Sequence, residues 1–344
     1  ILTTYDMGSG NNLSWKSAVT SDTVYSANGN GNQLFAFDKI LGTQKWTKTL
    51  NNKTQCPPFV HSNGNIYIAT DTQAGQSGRV YGFKPNGDNL ANFPVTTNGT
   101  FRGGFAEAPD GTLYLTSLRN INNTDTNLIS IDPTSGTVNW TKPKSQINQI
   151  YRAPAVAADG SVVINSLNGV TRAFNANGTT KWTYSHPAGG LTSAPEIRGT
   201  PTIDTATNTV FVASQNGIVA LRDNGTTTPQ VLWDFATGFD ANTVTPAFDP
   251  NRNLVYVANT ATGEIIALDA SGGGSPNGTE QWRYNTGSGV IASPALDANG
   301  NWLSVIPFQS INQNRTQPTF LSAETNTAGN KIILTFNERL SKRN

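Results

Sequence analysis

The chain is 344 residues long and carries 23 Lys+Arg against 22 Asp+Glu, a formal net charge of +1 with only 13% of positions charged. That balance excludes an electrostatic binder of nucleic acid or membrane surfaces, and no apolar run approaches the ~18 residues of a membrane-spanning helix. One cysteine, Cys56, and two histidines, His61 and His186, exclude a disulfide framework and a cysteine-based metal cluster and leave little room for histidine-driven catalysis.

Asn, Thr, Gly and Ser stand where charge is missing, and helix formers are scarce, so the chain is expected to be all-β. It is also a repeat. Residues 1–18, with Asp6, Gly10 and Trp15, read as the back half of a unit that appears in full at Asp38, Gly42 and Trp46. An apolar strand leads to an acidic turn residue, then to Gly, then to a closing aromatic. The next copy runs through Gly87 to Phe93, which replaces Trp, and the following ones through Asp132, Gly136 and Trp140 and through Asn175, Gly178 and Trp182. Longer turns separate Asp223 from Trp233 and Asp269 from Trp282. After a short first interval, the closing aromatics recur at roughly the 40–50 residue period of a four-stranded propeller blade.

Each copy has a front half of β-branched and aromatic residues: Asn65–Thr70, Thr112–Ser117, Ser161–Ser166, Thr209–Ser214 and Leu254–Asn259. Turn signals such as Asn63-Gly64 and Asp110-Gly111 precede them, as expected of hairpins. Before each hairpin lies a short run of small residues and Pro, at Pro57-Pro58, Ala153-Pro154-Ala155, Ala194-Pro195, Thr245-Pro246-Ala247 and Ser293-Pro294-Ala295. Such runs suit crowded innermost strands. The stretch Ser293–Ile306 is a front half with no back half after it. Residues 1–18 are expected to supply that half, closing seven four-stranded blades by pairing the chain ends.

These copies, Ala36-Phe37-Asp38…Gly42…Trp46 and Ile131-Asp132…Gly136…Trp140, resemble the tryptophan-docking repeats of pyrroloquinoline-quinone-like β-propellers. That group includes quinoprotein alcohol dehydrogenases and a propeller lipoprotein of the outer-membrane assembly machinery. The resemblance implies that Trp15, Trp46, Phe93, Trp140, Trp182, Trp233 and Trp282 wedge between neighbouring blades, the buried indole N–H groups seeking carbonyl partners. Dehydrogenases of the group generally have eight blades, a vicinal Cys pair and a metal ion, whereas this chain has one Cys. No cofactor is therefore expected.

The expected domains are a propeller over 1–308, a polar linker over 309–317 and a β segment over 318–344. The last resembles the opening strands of the Ig-like repeats of bacterial surface proteins, which implies a longer multidomain chain.

Chemistry-bearing motifs are thin. Gly272-Gly273-Gly274-Ser275-Pro276 lacks the helix and Lys of a phosphate loop, and Asp297-Ala298-Asn299-Gly300 reads as a hairpin turn rather than a calcium loop. Glu107, Asp110, Glu196 and Glu264 show no pairing suited to glycoside chemistry. Asp6, Asp38, Asp132 and Asp269 read as turn formers, Cys56 as a small buried residue, and the two histidines as surface residues. Nine Asn-x-Ser/Thr triplets, at Asn12, Asn52, Asn98, Asn122, Asn139, Asn177, Asn224, Asn277 and Asn314, read first as turn chemistry.

The segments leading into the innermost strands are the most suggestive, because variable loops on a rigid scaffold carry function. They hold Phe101, Arg102, Gln149, Tyr151, Arg152, His186, Phe239, Asp240 and Asn242. Arg102 and Arg152 are candidates for a cationic rim facing an acidic ligand, with Tyr151 and His186 beside them; the alternative is arginines that are solvated or paired with Glu107 and Asp110. The expected function is a non-catalytic binding or scaffold module of a secreted or cell-surface bacterial protein, periplasmic placement remaining open. A protein or glycan would meet its loop face, with no nucleic acid and no membrane insertion. The competing reading is an enzyme, a degenerate quinoprotein dehydrogenase or a polysaccharide-active propeller. A third, an envelope-assembly component, would add a partner strand to an exposed sheet edge.

Overall fold

The computed structural model describes residues 17–28, 31–71, 77–97, 99–101, 103–117, 126–188, 194–236, 244–260, 262–287, 293–296, 300, 302–304, 320–325 and 332–336. Its strands pair in sequence order into antiparallel meanders. The first sheet is β1 (Ala18–Val19), β2 (Thr23–Ala27), β3 (Gln33–Asp38) and β4 (Gln44–Thr49). The second is β5 (Phe59–Val60), β6 (Ile66–Ala69), β7 (Arg79–Phe83) and β8 (Val95–Thr96). The third is β9 (Gly104–Glu107), β10 (Leu113–Thr116), β11 (Thr126–Ile131) and β12 (Val138–Pro143), followed by a single helical turn, α1 (Lys144–Ile147). The fourth is β13 (Ala155–Val156), β14 (Val162–Ser166), β15 (Val170–Phe174) and β16 (Thr180–Ser185).

Two further four-stranded sheets follow, β17 (Thr202–Asp204), β18 (Thr209–Ser214), β19 (Gly217–Arg222) and β20 (Gln230–Ala236), then β21 (Ala247–Asp249), β22 (Leu254–Ala258), β23 (Glu264–Asp269) and β24 (Glu280–Asn285). Two hairpins complete the described structure, β25 (Ala295–Leu296) with β26 (Trp302–Ser304) and β27 (Phe320–Thr325) with β28 (Ile332–Phe336). The chain divides into two units. One comprises Ile1–Pro187, Glu196–Thr200 and Asn224–Pro229; the other comprises Ala188–Pro195, Pro201–Asp223 and Gln230–Asn344.

The second strands β6, β10, β14 and β18 are buried on both faces, which explains their largely apolar sequences. Alternation sends Ile66 and Ile68 of β6 into a cluster with Tyr25, Leu34 and Ala36 of the first sheet, while Tyr67 and Ala69 join Leu113, Leu115 and Ile131 of the third. The core of the first unit is thus a series of apolar layers between consecutive sheets, continued by Tyr114, Leu128, Ile164 and Phe174 between the third and fourth. In the second unit, Phe211, Trp233, Val255 and Leu268 form the corresponding layer.

One cross-strand row repeats in five of the six four-stranded sheets. Tyr25 faces Ala36, and Ala36 faces Trp46; the same row is Tyr114, Ser130 and Trp140, or Phe211, Ala220 and Trp233. The small central residue lets the flanking rings meet across it, at 5.7 Å for Tyr25 and Trp46 and 5.6 Å for Tyr114 and Trp140. A bulge follows directly after the row, between Ala36 and Phe37, Ser130 and Ile131, and Ala220 and Leu221.

The outer-strand indoles reach the neighbouring sheet. Trp46 Nε1 donates to Pro85 O at 2.8 Å, Trp140 Nε1 to Ala176 O at 2.7 Å and Trp233 Nε1 to Ala270 O at 3.0 Å. Each acceptor lies in the turn after the neighbour's third strand. The turn glycine lies against the same indole: a Cβ on Gly178 would stand 2.8 Å from Trp140, and Gly178 has φ +84°. The turn acids act locally, Asp38 Oδ1 accepting from the N–H groups of Ile40 and Leu41, and Asp132 Oδ1 from those of Thr134 and Ser135.

Four sequence expectations change in detail. Ala18 and Val19 form the innermost strand of the first sheet rather than part of an outer half-unit. The residue leading into β17 is Pro201, not Pro195, because a further stretch with buried Ile197 intervenes. Both histidines are buried instead of lying at the surface, each held by hydrogen bonds that compensate for lost hydration. Asn52 is buried too, its amide donating to Asp71 O, so that triplet is core structure and not an open turn. Trp15, the linker 309–317 and most of residues 1–18 lie outside the described residues, as does the expected pairing of the chain ends.

Candidate functional site

Two lead-in segments of the first unit come together around Tyr151. The first crosses from α1 to β13 and is held from several sides. Ile147 and Ile150 are buried against the fourth sheet, Ser166 Oγ donates to Ile147 O at 2.7 Å, and the Asn127 amide donates to Asn148 O. Thr116 Oγ1 of β10 donates to Arg152 O at 2.7 Å. Gly103 is obligatory there for space, since a Cβ would stand 2.9 Å from that carbonyl and closer still to the Thr116 hydroxyl. Gly104 sits between Ala153 and Pro57, so the small residues before the innermost strands answer to real crowding.

The second segment is Glu196–Thr200, four residues before β17 at Arg198. Ile197 is buried, and Asn165 Nδ2 of β14 donates to Gly199 O at 3.0 Å. Asn165 Oδ1 in turn accepts from Thr171 Oγ1 at 2.8 Å. Because Thr171 spends its proton there, the 2.9 Å contact between Thr171 Oγ1 and His186 Nε2 assigns the ring proton to Nε2. Burial pulls the His186 imidazole down to about 3, so it is neutral at physiological pH. His186 therefore sits at the back of the site, in a chain of hydrogen bonds ending one residue from Arg198.

At the front, the Arg152 guanidinium carbon lies 5.7 Å from the Tyr151 ring centroid and that of Arg198 5.5 Å from it. Arg198 Nη2 meets Glu196 Oε2 at 2.5 Å, while Arg198 Nε is buried with no hydrogen-bond partner. Burial lowers the Arg152 guanidinium from its ordinary value, yet an arginine stays charged in a protein. Two guanidinium groups thus share one aromatic ring, and Glu196 lies on the guanidinium of Arg198.

Arg198 is the residue missed in the sequence. The signal was available: Arg102, Arg152 and Arg198 occupy the same lead-in, two to four residues before β9, β13 and β17. Arg102 lies outside the described residues, as do Phe239, Asp240 and Asn242.

The remaining candidates are engaged structurally. His61 Nε2 meets Gly111 O at 2.8 Å and lies 3.4 Å from Glu107 Oε1, while its Nδ1 accepts from the Asn63 N–H. Glu107 Oε2 also accepts from the Ser62 N–H. Glu264 and Glu280 both pair with Arg283. Cys56 is fully buried and its thiol is pushed up to about 12 by desolvation. Among the described residues no three His, Cys, Asp or Glu side chains are grouped to hold a metal ion. No helix among them is long and apolar enough to cross a membrane.

Comparisons with known proteins agree with this architecture. Residues 76–228 match the family model described as outer membrane protein assembly factor BamB. An outer membrane protein assembly factor BamB of Moranella endobia (strain PCIT) is 41% identical over 69 residues, which cover 20% of this chain and 17% of that protein. Among solved structures, a europium-containing methanol dehydrogenase superposes with a TM-score of 0.60 at 12% identity, over 83% of this chain and 71% of the other. At that identity the likeness concerns fold alone. The repeats of residues 76–228 are thus of the PQQ-like kind, and the fold is shared with that dehydrogenase. The described residues do not fit the metal of that dehydrogenase: they offer no acidic donor cluster, and Cys56 is an isolated buried thiol.

Proposed function

We propose that this propeller is a non-catalytic scaffold of the bacterial cell envelope, exported and part of a longer multidomain chain, that holds a partner protein at its lead-in segments. The reading includes seven blades, the last completed by the residues ahead of β1 against the hairpin of β25 and β26. The observation that carries it is the Tyr151, Arg152 and Arg198 cluster, displayed by two segments that buried hydrogen bonds hold firmly in place. A rigid frame presenting a preformed charged surface loses little entropy on association. The match of residues 76–228 to an assembly-factor family supports an interaction role.

The described acids weigh against the enzymatic alternative. Asp38 and Asp132 are spent in turns, Asp249 in a 2.7 Å contact with Arg252, and Glu107 on Ser62 and His61. Site-specific photo-crosslinking in the producing bacterium tests the proposal. A photoreactive residue at position 196 is expected to give a discrete protein adduct, and one at position 44 on the outer strand β4 none. Equal adducts from both positions, or none from 196, would overturn it.

A further inference from the structure

We infer that Tyr151, Arg152 and Arg198 form a carboxylate-binding site that takes an acidic segment of the partner protein. The inference rests on the scaffold reading and names the chemistry of what is held. Guanidinium groups recognise carboxylates through paired, charge-assisted hydrogen bonds, and two of them converge on a single phenol ring at 5.7 and 5.5 Å. Contact with the ring restrains both side chains, so less side-chain freedom is lost when an anion arrives. Arg198 Nε is a buried N–H with no hydrogen-bond partner, so the guanidinium holds fewer acceptors than it can take, and its side chain, 36% exposed, is open to another. Glu196, already 2.5 Å from Arg198 Nη2, shows within this chain the kind of group the guanidinium accepts.

The same geometry argues against a sugar as the ligand. Saccharide rings need open aromatic surface, and the Tyr151 ring already has two guanidinium groups against it. Charge recognition is what the cluster offers. Its environment strengthens the interaction, because Arg152 is partly withdrawn from water and the local dielectric is low.

The probe is a fluorescein-labelled peptide of alternating Asp and Glu, with the Asn/Gln peptide of equal length as the neutral arm, read by fluorescence anisotropy on the full chain. The acidic peptide is expected to bind and the amide peptide not. Arg152→Ala and Arg198→Ala should each weaken binding about tenfold, the worth of a charged hydrogen bond. Lys45→Ala, which removes an equal charge from the outer strand β4, should leave it unchanged. Glu196→Gln should tighten binding by releasing Arg198 from its internal competitor, an effect that a purely structural role would not produce. If an alanine variant fails to fold, Arg198→Lys serves instead, keeping the charge but losing the fork and so weakening binding.

Equal binding of the two peptides, or equal loss in Lys45→Ala, would overturn the inference. So would displacement by inorganic phosphate at matching concentration, which would make this a general anion site. Absence of peptide binding alongside a discrete adduct from position 196 would sink the carboxylate site and leave the scaffold standing.

Discussion

The phenol of Tyr67 donates a 2.9 Å hydrogen bond to the carbonyl oxygen of Pro133. Pro133 holds the turn position that accepts an indole N–H elsewhere, at Pro85, Ala176 and Ala270. In this copy the closing aromatic is Phe93, which has no N–H to give, and its ring packs edge-on to Tyr67 at 5.5 Å. The donor has moved two strands inward. Gly82 makes this possible, because a Cβ there would stand 3.1 Å from both rings.

Removing that hydroxyl should therefore be felt. Tyr67→Phe is expected to cost about 1–2 kcal/mol, the worth of a buried neutral hydrogen bond and its stranded acceptor. Tyr114→Phe should cost less, since Tyr114 Oη reaches Gly160 O only at 3.4 Å. Urea denaturation of both variants checks the order, and a reversed order would contradict the docking role of Tyr67.

Trp140 joins more contacts than any hydroxyl can. Its indole donates to Ala176 O, lies 5.6 Å from Tyr114 and 6.3 Å from Phe174, and carries Gly178 against its face. Trp140→Ala is expected to cost roughly 3–5 kcal/mol. Gly178→Ala should be destabilising as well, with a positive φ and a Cβ 2.8 Å from the indole. Thermal melts that leave either variant at the wild-type midpoint would exclude this arrangement.

His186 should impose a pH dependence. Its folded value of about 3 lies below the ordinary 6.5 because burial disfavours the cation. Above pH 6.5 both states are neutral and the group contributes nothing. As pH falls below that value the unfolded chain binds a proton that the folded chain cannot, so stability declines until pH nears 3. The expected slope is on the order of 1 kcal/mol per pH unit between pH 6 and 4. His186→Gln keeps a donor for Thr171 and should flatten it in urea titrations; unchanged slopes would count against the assignment. Asp22, brought down to about 2 chiefly by Lys45, acts only at lower pH, where stability falls as its carboxylate protonates.

Cys56 should be inert in the folded protein. Its side chain is fully buried, and a thiol pushed up to about 12 supplies almost no thiolate at neutral pH. Maleimide labelling should occur only after unfolding, at a rate that follows the denaturation curve. Rapid labelling under native conditions would show that the second sheet opens readily.

Much of the fold was legible because its signals are short-ranged. The apolar runs of β6 and β10, the positive-φ turn glycines and the Asp38 and Asp132 turns each depend on a few adjacent residues. The site was legible only in part. Tyr151 and Arg152 stood out as a pair before an innermost strand, but Arg198 is 46 residues beyond Arg152 and meets Tyr151 only through folding. His186 looked like a loop residue because Pro187 follows it, and nothing nearby in the chain reveals Thr171 as its partner.

The amino-acid order alone determined the repeat, the strand content and turns such as those at Asp38 and Asp132, since periodicity and turn chemistry act within a few residues of themselves. The tertiary structure decided which side chain donates where. Tyr67 replaces an absent indole, two arginines from different lead-ins share one ring, and both histidines turn inward. Those outcomes depend on the distance and dielectric between packed sheets, quantities that no single stretch of chain encodes.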